Sequence, residues 1–210
     1  MRTKDVYRSS AKRLTDVIVA MALLVITSPI LLVAMVGVAL TMGRPVIFIQ
    51  QRTGLAGSRF RLVKLRTMRT AHDSSGRALT DSERLTVFGR FLRKSSIDEL
   101  PELLNVIRGD MSLVGPRPLI TRYDQWYTEN ERLRFAARPG ITGLAQVNGR
   151  NSVGWDARLA MDVRYVSEWS FRMDLSILAR TCWQAVAGSG VTVDPSSVMQ
   201  DLDRERECRA

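Results

Sequence analysis

Asp98 and Glu99 stand side by side in the run Ser95-Ser96-Ile97-Asp98-Glu99-Leu100-Pro101, at the mouth of an apolar stretch. Arg90, Arg93 and Lys94 come just before the pair, and Arg108, Arg117 and Arg122 follow it. Two carboxylates among so many cations suit a nucleophile and a metal ligand in a pocket shaped for phosphates. Ser96-Ile97-Asp98-Glu99 matches the capping-box pattern, so a helix N-terminus is expected here, with Pro101 in its first turn. Such a terminus offers free N–H groups and partial positive charge to a phosphate. Adjacent helical residues are splayed by about 100°, so the two acids need not share one proton. One can attack phosphorus while the other holds Mg2+, and the metal and the arginines together would offset the charge of a diphosphate. Taken alone, the pair also fits a plain helix cap worth about 1 kcal/mol.

The rest of the chain narrows the classes. Its 210 residues suit one domain with a real core, and the net charge of +10 predicts attraction to polyanions such as nucleic acid, anionic lipid or phosphorylated substrates. A membrane-tethered nucleic-acid-binding protein would share that charge. Base-stacking aromatics are sparse in the central region, however, and no nucleic-acid partner is expected. The two cysteines, Cys182 and Cys208, form no disulfide framework, as in a cytosol-facing protein. The single histidine, His72, lies in a polar stretch, which argues against a histidine-ligated metal or a Ser-His-Asp triad.

Val17 to Met42 is a run of 26 residues without a charge, longer than the roughly 20 needed to cross a bilayer. Both flanks are basic, with Arg2, Lys4, Arg8, Lys12 and Arg13 before and Arg44, Arg52, Arg59 and Arg61 after. The positive-inside rule is then best satisfied with both ends on the cytoplasmic side. Ser28-Pro29 falls near the middle, where proline removes the hydrogen bond to the Val25 carbonyl and predicts a kink. Each arm of about 12 to 14 residues is roughly 18 to 21 Å long, too short for about 30 Å of hydrocarbon. A re-entrant hairpin is the expectation; a kinked transmembrane anchor is the competing one.

Further along, Val46–Gln50 and Phe60–Leu65 suit two strands of a hairpin turning at Gly54–Ser58. Glu83–Lys94 places Leu85, Phe88, Phe91 and Leu92 on one helical face with arginines around it, as on a membrane surface or in an ordinary core. Leu100, Leu103, Leu104 and Ile107 form a buried helical stripe. Another helix is expected over Thr121–Ala136, and loop chemistry from Pro139 to Gly154. Trp169, Phe171, Leu175, Ile177, Leu178 and Trp183 suggest amphipathic, interfacial helices, and Gly188–Ala210 reads as a polar tail.

Here the chain resembles a known family. Arg90 to Pro118 is similar to the signature of the bacterial sugar transferases, the monotopic phosphoglycosyl transferases. Lys64-Leu65-Arg66-Thr67-Met68, the run from Pro139 to Arg150, and the apolar arm with its Ser28-Pro29 membrane break match further family motifs. The resemblance covers about residues 10 to 187 and is to the small form, without extra transmembrane helices or an accessory domain. It implies transfer of a sugar-1-phosphate from a UDP-sugar to polyprenyl (undecaprenyl) phosphate. Asp98 would form a covalent phosphosugar intermediate and release UMP, initiating surface glycan synthesis. It further implies Glu99 as the Mg2+ ligand, Lys64, Arg93 and Arg117 on phosphates, and Gln146 and Arg150 near the nucleotide. Asp162 would orient a basic residue. Leu65 and Leu144 replace residues that are aromatic in many members.

The expected fold is α+β and mostly helical. Residues 1–42 carry a basic segment and a re-entrant helix-break-helix, residues 43–187 a cytosolic catalytic domain with interfacial helices and a small β-hairpin, and residues 188–210 the tail. The expected place is the cytoplasmic face of a bacterial inner membrane, among membrane lipid and downstream glycosyltransferases. Two other readings compete: a non-catalytic membrane-bound polysaccharide assembly factor, and glycosyl transfer without phosphate, which would release UDP.

Overall fold

One helix, α1 (Ser10–Met42), carries the whole uncharged segment in 33 residues, about 50 Å at 1.5 Å per residue. The computed structural model describes residues 10–70, 77–149, 153–187 and 201–208. Helix α1 is long and apolar enough to cross a membrane by length and composition, with a mean hydropathy of 2.8 over its best 18-residue window. The expected break at Ser28-Pro29 does not interrupt it: Pro29 lies inside a continuous helix. The local reason is that the Ser28 hydroxyl donates to the Val25 carbonyl at 2.8 Å, satisfying the acceptor that proline leaves without an N–H.

Both ends of α1 are anchored in the same body. Near its start, buried Lys12 donates to Asp174 at 2.6 Å, and buried Asp16 accepts from Ser112 at 2.6 Å. Arg13 donates to the carbonyls of Val106 and Ile107, the last turn of α4 (Glu102–Arg108), where a cation also suits the helix dipole. Near its end, Ala34 and Val38 pack with Leu65 and Leu92. Between these zones the apolar side chains Val25, Ile26, Leu32 and Val33 are exposed.

Strands β1 (Ile47–Thr53) and β2 (Arg59–Leu65) form the expected antiparallel hairpin, pairing Ile47 with Leu65 and Thr53 with Arg59. The helix expected over Glu83–Lys94 is split into α2 (Asp81–Arg84) and α3 (Val87–Ser95). Thr80 and Thr86 each cap a helix start, and buried Leu85 between them bridges to Met68. A short parallel pair, β3 (Ser112–Val114) with β4 (Gly140–Thr142), lies in the main core beside Val106, Met111 and Tyr165. Thr121–Ala136 is also corrected: it is a 3-10 turn at Thr121–Trp126, then α5 (Glu129–Arg132) with its own Thr128 capping box, then a second 3-10 turn. Capping at Thr128 restarts the chain where one long helix would have run through.

Helices α6 (Leu144–Val147), α7 (Trp155–Glu168) and α8 (Phe171–Ala187) close the other side of the core. Part of the polar tail returns to the body as α9 (Leu202–Glu207). Leu202 is completely buried beside Tyr123, Tyr127 and Trp155, and Arg206 pairs with Glu131 at 2.6 Å and Asp156 at 2.8 Å.

Candidate active site

Asp98 and Glu99 lie in a 3-10 turn, Ile97–Glu99, that joins α3 to α4. This corrects the capping box: Ser96 makes no side-chain cap. It adopts a left-handed conformation (φ 57°) and ends α3, donating its N–H to the carbonyls of Leu92 and Arg93. Its carbonyl still opens the 3-10 turn by accepting from the Glu99 N–H, but its hydroxyl caps nothing. Pro101 does stand at the threshold of α4, where its missing N–H does no harm.

Around that turn the chain gathers charge from distant segments. Lys64 on β2 donates to Glu99 Oε1 at 2.7 Å and lies 3.0 Å from Glu102 Oε1. Arg117, in the loop after β3, donates to the same Glu99 oxygen at 3.1 Å. Both cation hydrogen bonds of Glu99 thus fall on Oε1, and Oε2 accepts none among the described residues. Arg93 on α3 donates its Nε–H to Thr67 Oγ1 at 3.0 Å. It can sit there because Gly89 lets α3 close on the Thr67 carbonyl; a Cβ at position 89 would lie 1.9 Å from that oxygen.

Asp98 differs from its neighbour. It is only 8% exposed, yet no group among the described residues hydrogen-bonds or ion-pairs with it. Burial, reinforced by the Glu99 charge, pushes its carboxyl up to about 6 against the pull of Lys64, Arg93 and Arg117. Burial also pushes Glu99 up, but Lys64 and Arg117 reverse it and hold Glu99 at about 2. Glu99 is therefore a permanent anion, and Asp98 a poised one.

Sequence reasoning missed Glu102, Arg52, Arg134 and Arg158. Glu102 is buried against Lys64, and burial raises it to about 7. Its only advance signal was a position three residues after Glu99, on the same side of a helical turn. Arg134 is buried against Asp162: its Nη2 donates to Asp162 Oδ2 at 2.7 Å and to the Arg117 carbonyl at 2.7 Å. Asp162 thus steadies the loop of Arg117 from behind. Arg52 donates to the Pro118 carbonyl, and Arg158 stacks on Trp155 at 4.6 Å; burial and the charge of Arg117 depress both guanidiniums.

Gln146 is buried in α6 with neither amide atom hydrogen-bonded among the described residues. Just ahead of its helix, Gly143 packs on Gly115, with 2.1 Å between a Cβ built there and the Gly115 carbonyl, two residues before Arg117. Arg150 and His72 lie outside the described residues. Ser28 and Pro29 lie in the middle of α1.

A buried, unpaired carboxylate beside an ionised one, with Lys64, Arg93 and Arg117 around the turn, can support phosphoryl chemistry. The chain belongs to the bacterial sugar transferase family, which matches residues 7–188. It is 50% identical over 180 residues to the uncharacterized sugar transferase EpsL of Bacillus subtilis, covering 86% of this chain and 89% of that one. It is 44% identical to a UDP-glucose:undecaprenyl-phosphate glucose-1-phosphate transferase of Caulobacter vibrioides, over 81% of this chain and 67% of that one. Similarity to an undecaprenyl-phosphate galactose phosphotransferase of Salmonella typhimurium is 38% and spans 39% of that longer protein.

Proposed function

We propose that this protein transfers a sugar-1-phosphate from a UDP-sugar to a polyprenyl phosphate at a membrane surface, through an ester of Asp98. The observation that carries the reading is the buried Asp98 carboxylate, left unpaired while Glu99 takes the contacts of Lys64 and Arg117. A nucleophile clamped by cations would lose its reactive lone pairs, and a neighbour that absorbs those cations keeps it free.

In the first half-reaction an Asp98 oxygen bonds to the phosphorus that carries the sugar. The bridging P–O bond breaks, and UMP leaves with the bonding pair. In the second, an oxygen of the lipid phosphate attacks the same phosphorus and the aspartyl oxygen departs as carboxylate. Arg93 and Arg117 flank the turn and would bind the donor's phosphates, and Lys64 holds Glu99 ionised. Gln146 and Arg150 would serve the nucleotide. Asp162 acts through Arg134 on the Arg117 loop.

Glu99 also fits a divalent cation: it is ionised, it is a hard oxygen donor, and Oε2 accepts no hydrogen bond among the described residues. No group of three acidic, histidine or cysteine ligands exists among the described residues, so Mg2+ held by Glu99 would need water and substrate phosphates to complete its coordination. Bound there, Mg2+ would neutralise part of the diphosphate charge.

The re-entrant reading of α1 draws support from its packing. Lys12 and Asp16 at one end and Ala34 and Val38 at the other are buried in one body, so both ends belong on the side of that body. The exposed apolar middle would enter the lipid, and the active site would face the cytoplasmic surface of the inner membrane, where nucleotide sugars occur. The product would pass to glycosyltransferases that extend a surface glycan. The test is incubation of detergent-solubilised protein with labelled UDP-sugars. Without acceptor, label should appear on Asp98 with one UMP released per site; turnover without labelled Asp98, or release of UDP, would end the proposal.

A further inference from the structure

Away from the carboxylate turn, a cleft of about 370 Å3 opens between α6, α7 and α8. Arg164, Arg172 and Arg180 line it, with Asn148 and Ser176 between them and Ile177 on its floor. Arg164 pairs with Glu168 at 2.8 Å, and Arg180 donates to Asn148 Oδ1 at 3.2 Å. Arg172 has no ion-pair partner among the described residues, and neither has Arg180. Three arginines thus line one cavity, and only Arg164 among them carries a carboxylate partner, an arrangement suited to an oxyanion.

Helix α8 says where that anion comes from. At about 100° per residue, Arg172, Ser176, Arg180 and Trp183 form one stripe, and Phe171 and Leu175 form the stripe beside it. Phe171, Leu175 and Trp183 are all exposed, at 49%, 69% and 72%. A helix that exposes aromatic and aliphatic side chains next to a line of arginines is built to lie in a lipid–water interface. Trp169 and Asp174 at its start are bonded to each other, and Asp174 holds Lys12 of α1. The exposed stripe of α8 therefore begins where the apolar helix joins the body.

We infer that this cleft is a headgroup site, in which Arg172 and Arg180, with Arg164, bind the phosphate of an anionic phospholipid while Phe171 and Leu175 enter its acyl region. The site rests on the membrane-surface reading above but lies apart from the carboxylate turn, and it would fix how the catalytic body is oriented on the bilayer.

The full chain, purified in mild detergent, is offered phosphatidylglycerol and phosphatidylcholine in equal amounts, and retained lipids are counted by native mass spectrometry. Wild type should keep one phosphatidylglycerol with a preference of at least about fivefold, and R172A/R180A should lose that preference. R61A/R108A, which removes two exposed arginines elsewhere, should keep it. Inorganic phosphate alone is added in a second arm. Millimolar phosphate that displaces no lipid supports the headgroup assignment; phosphate binding with no lipid preference overturns it in favour of a soluble anion. Equal lipid retention by wild type and R172A/R180A also overturns it. UMP release measured on the same samples separates the two readings. It should be unchanged in R172A/R180A in detergent, and its absence from wild type would count against the transferase reading alone.

Discussion

Arg134 and Asp162 neutralise one another, whereas Lys64, Glu99, Glu102 and Arg117 share contacts around an Asp98 that has none. Arg134 and Asp162 are fully buried, whereas of the second group only Asp98 and Glu102 are buried and Lys64, Glu99 and Arg117 stay partly exposed; the Arg117 loop touches both groups. The first arrangement is what a structural ion pair requires: a buried guanidinium matched to a buried carboxylate, with a spare N–H on a backbone carbonyl. The second is unbalanced by design. Three acids in five residues share one lysine and one arginine, and burial, reinforced by the Glu99 charge, raises the unpaired Asp98 to about 6. Charge is thus matched in one place and left unmatched in the other, where the proposed nucleophile lies.

The sharpest break between the two comes from removing each carboxylate. Asp98→Asn should abolish UMP release, by at least about a thousandfold. It should leave the melting temperature unchanged or raise it, since a buried and unpaired charge disappears. Turnover near wild type would refute the nucleophile. Asp162→Asn should do the reverse, with a stability loss of about 3–5 kcal/mol from the uncompensated Arg134. Thermal unfolding in detergent measures it, and a shift within about 0.5 kcal/mol would erase the contrast.

Within the unbalanced group the acids should separate as well. Glu99→Gln should weaken the apparent Mg2+ affinity roughly 10- to 100-fold in a metal titration of UMP release. An identical titration curve would remove its ligand role. The pH profile distinguishes Asp98 from Glu102. A raised pKa means that Asp98 takes up its proton as pH falls through about 6, so activity should decline about tenfold per unit below that value instead of holding to about 4. Glu102→Gln should keep this acid limb. Its loss in that variant would transfer the limb to Glu102, which stands near 7.

Much of this plan was visible before any coordinates. The hairpin, the apolar helix and the two acids could be placed from residue type and spacing; Lys64 and Arg117 came only through the family resemblance, as phosphate contacts rather than as partners of Glu99. What escaped was set by contacts distant in sequence. Glu102 looks like a polar residue heading an apolar stripe until β2 brings Lys64 against it, 38 positions away. Arg134 was one arginine among many, because which of them is buried depends on how α7 docks. The capping box failed for a local reason: Ser-x-x-Glu marks a helix start only when the serine is extended, and Ser96 is left-handed. Leu202 was a single apolar residue in a charged tail, too weak a signal to predict its pocket.

The smallest expected effect concerns α1 and its proposed re-entrant course. Two causes could return α1 to its own side: Pro29, or the packing of its ends. The Ser28 hydroxyl already serves the Val25 carbonyl, and the ends are held by the Lys12–Asp174 and Asp16–Ser112 contacts and by Val38 against Leu92. Packing should therefore decide. With Cys182 and Cys208 replaced and single cysteines placed at Ser10 or Gly43, an impermeant maleimide should label both positions from the same face of proteoliposomes. Pro29→Ala should label in the same way. Opposite faces in the wild type would refute the re-entrant reading. Opposite faces in Pro29→Ala alone would show that proline, rather than the buried lysine and its partners, turns the chain back.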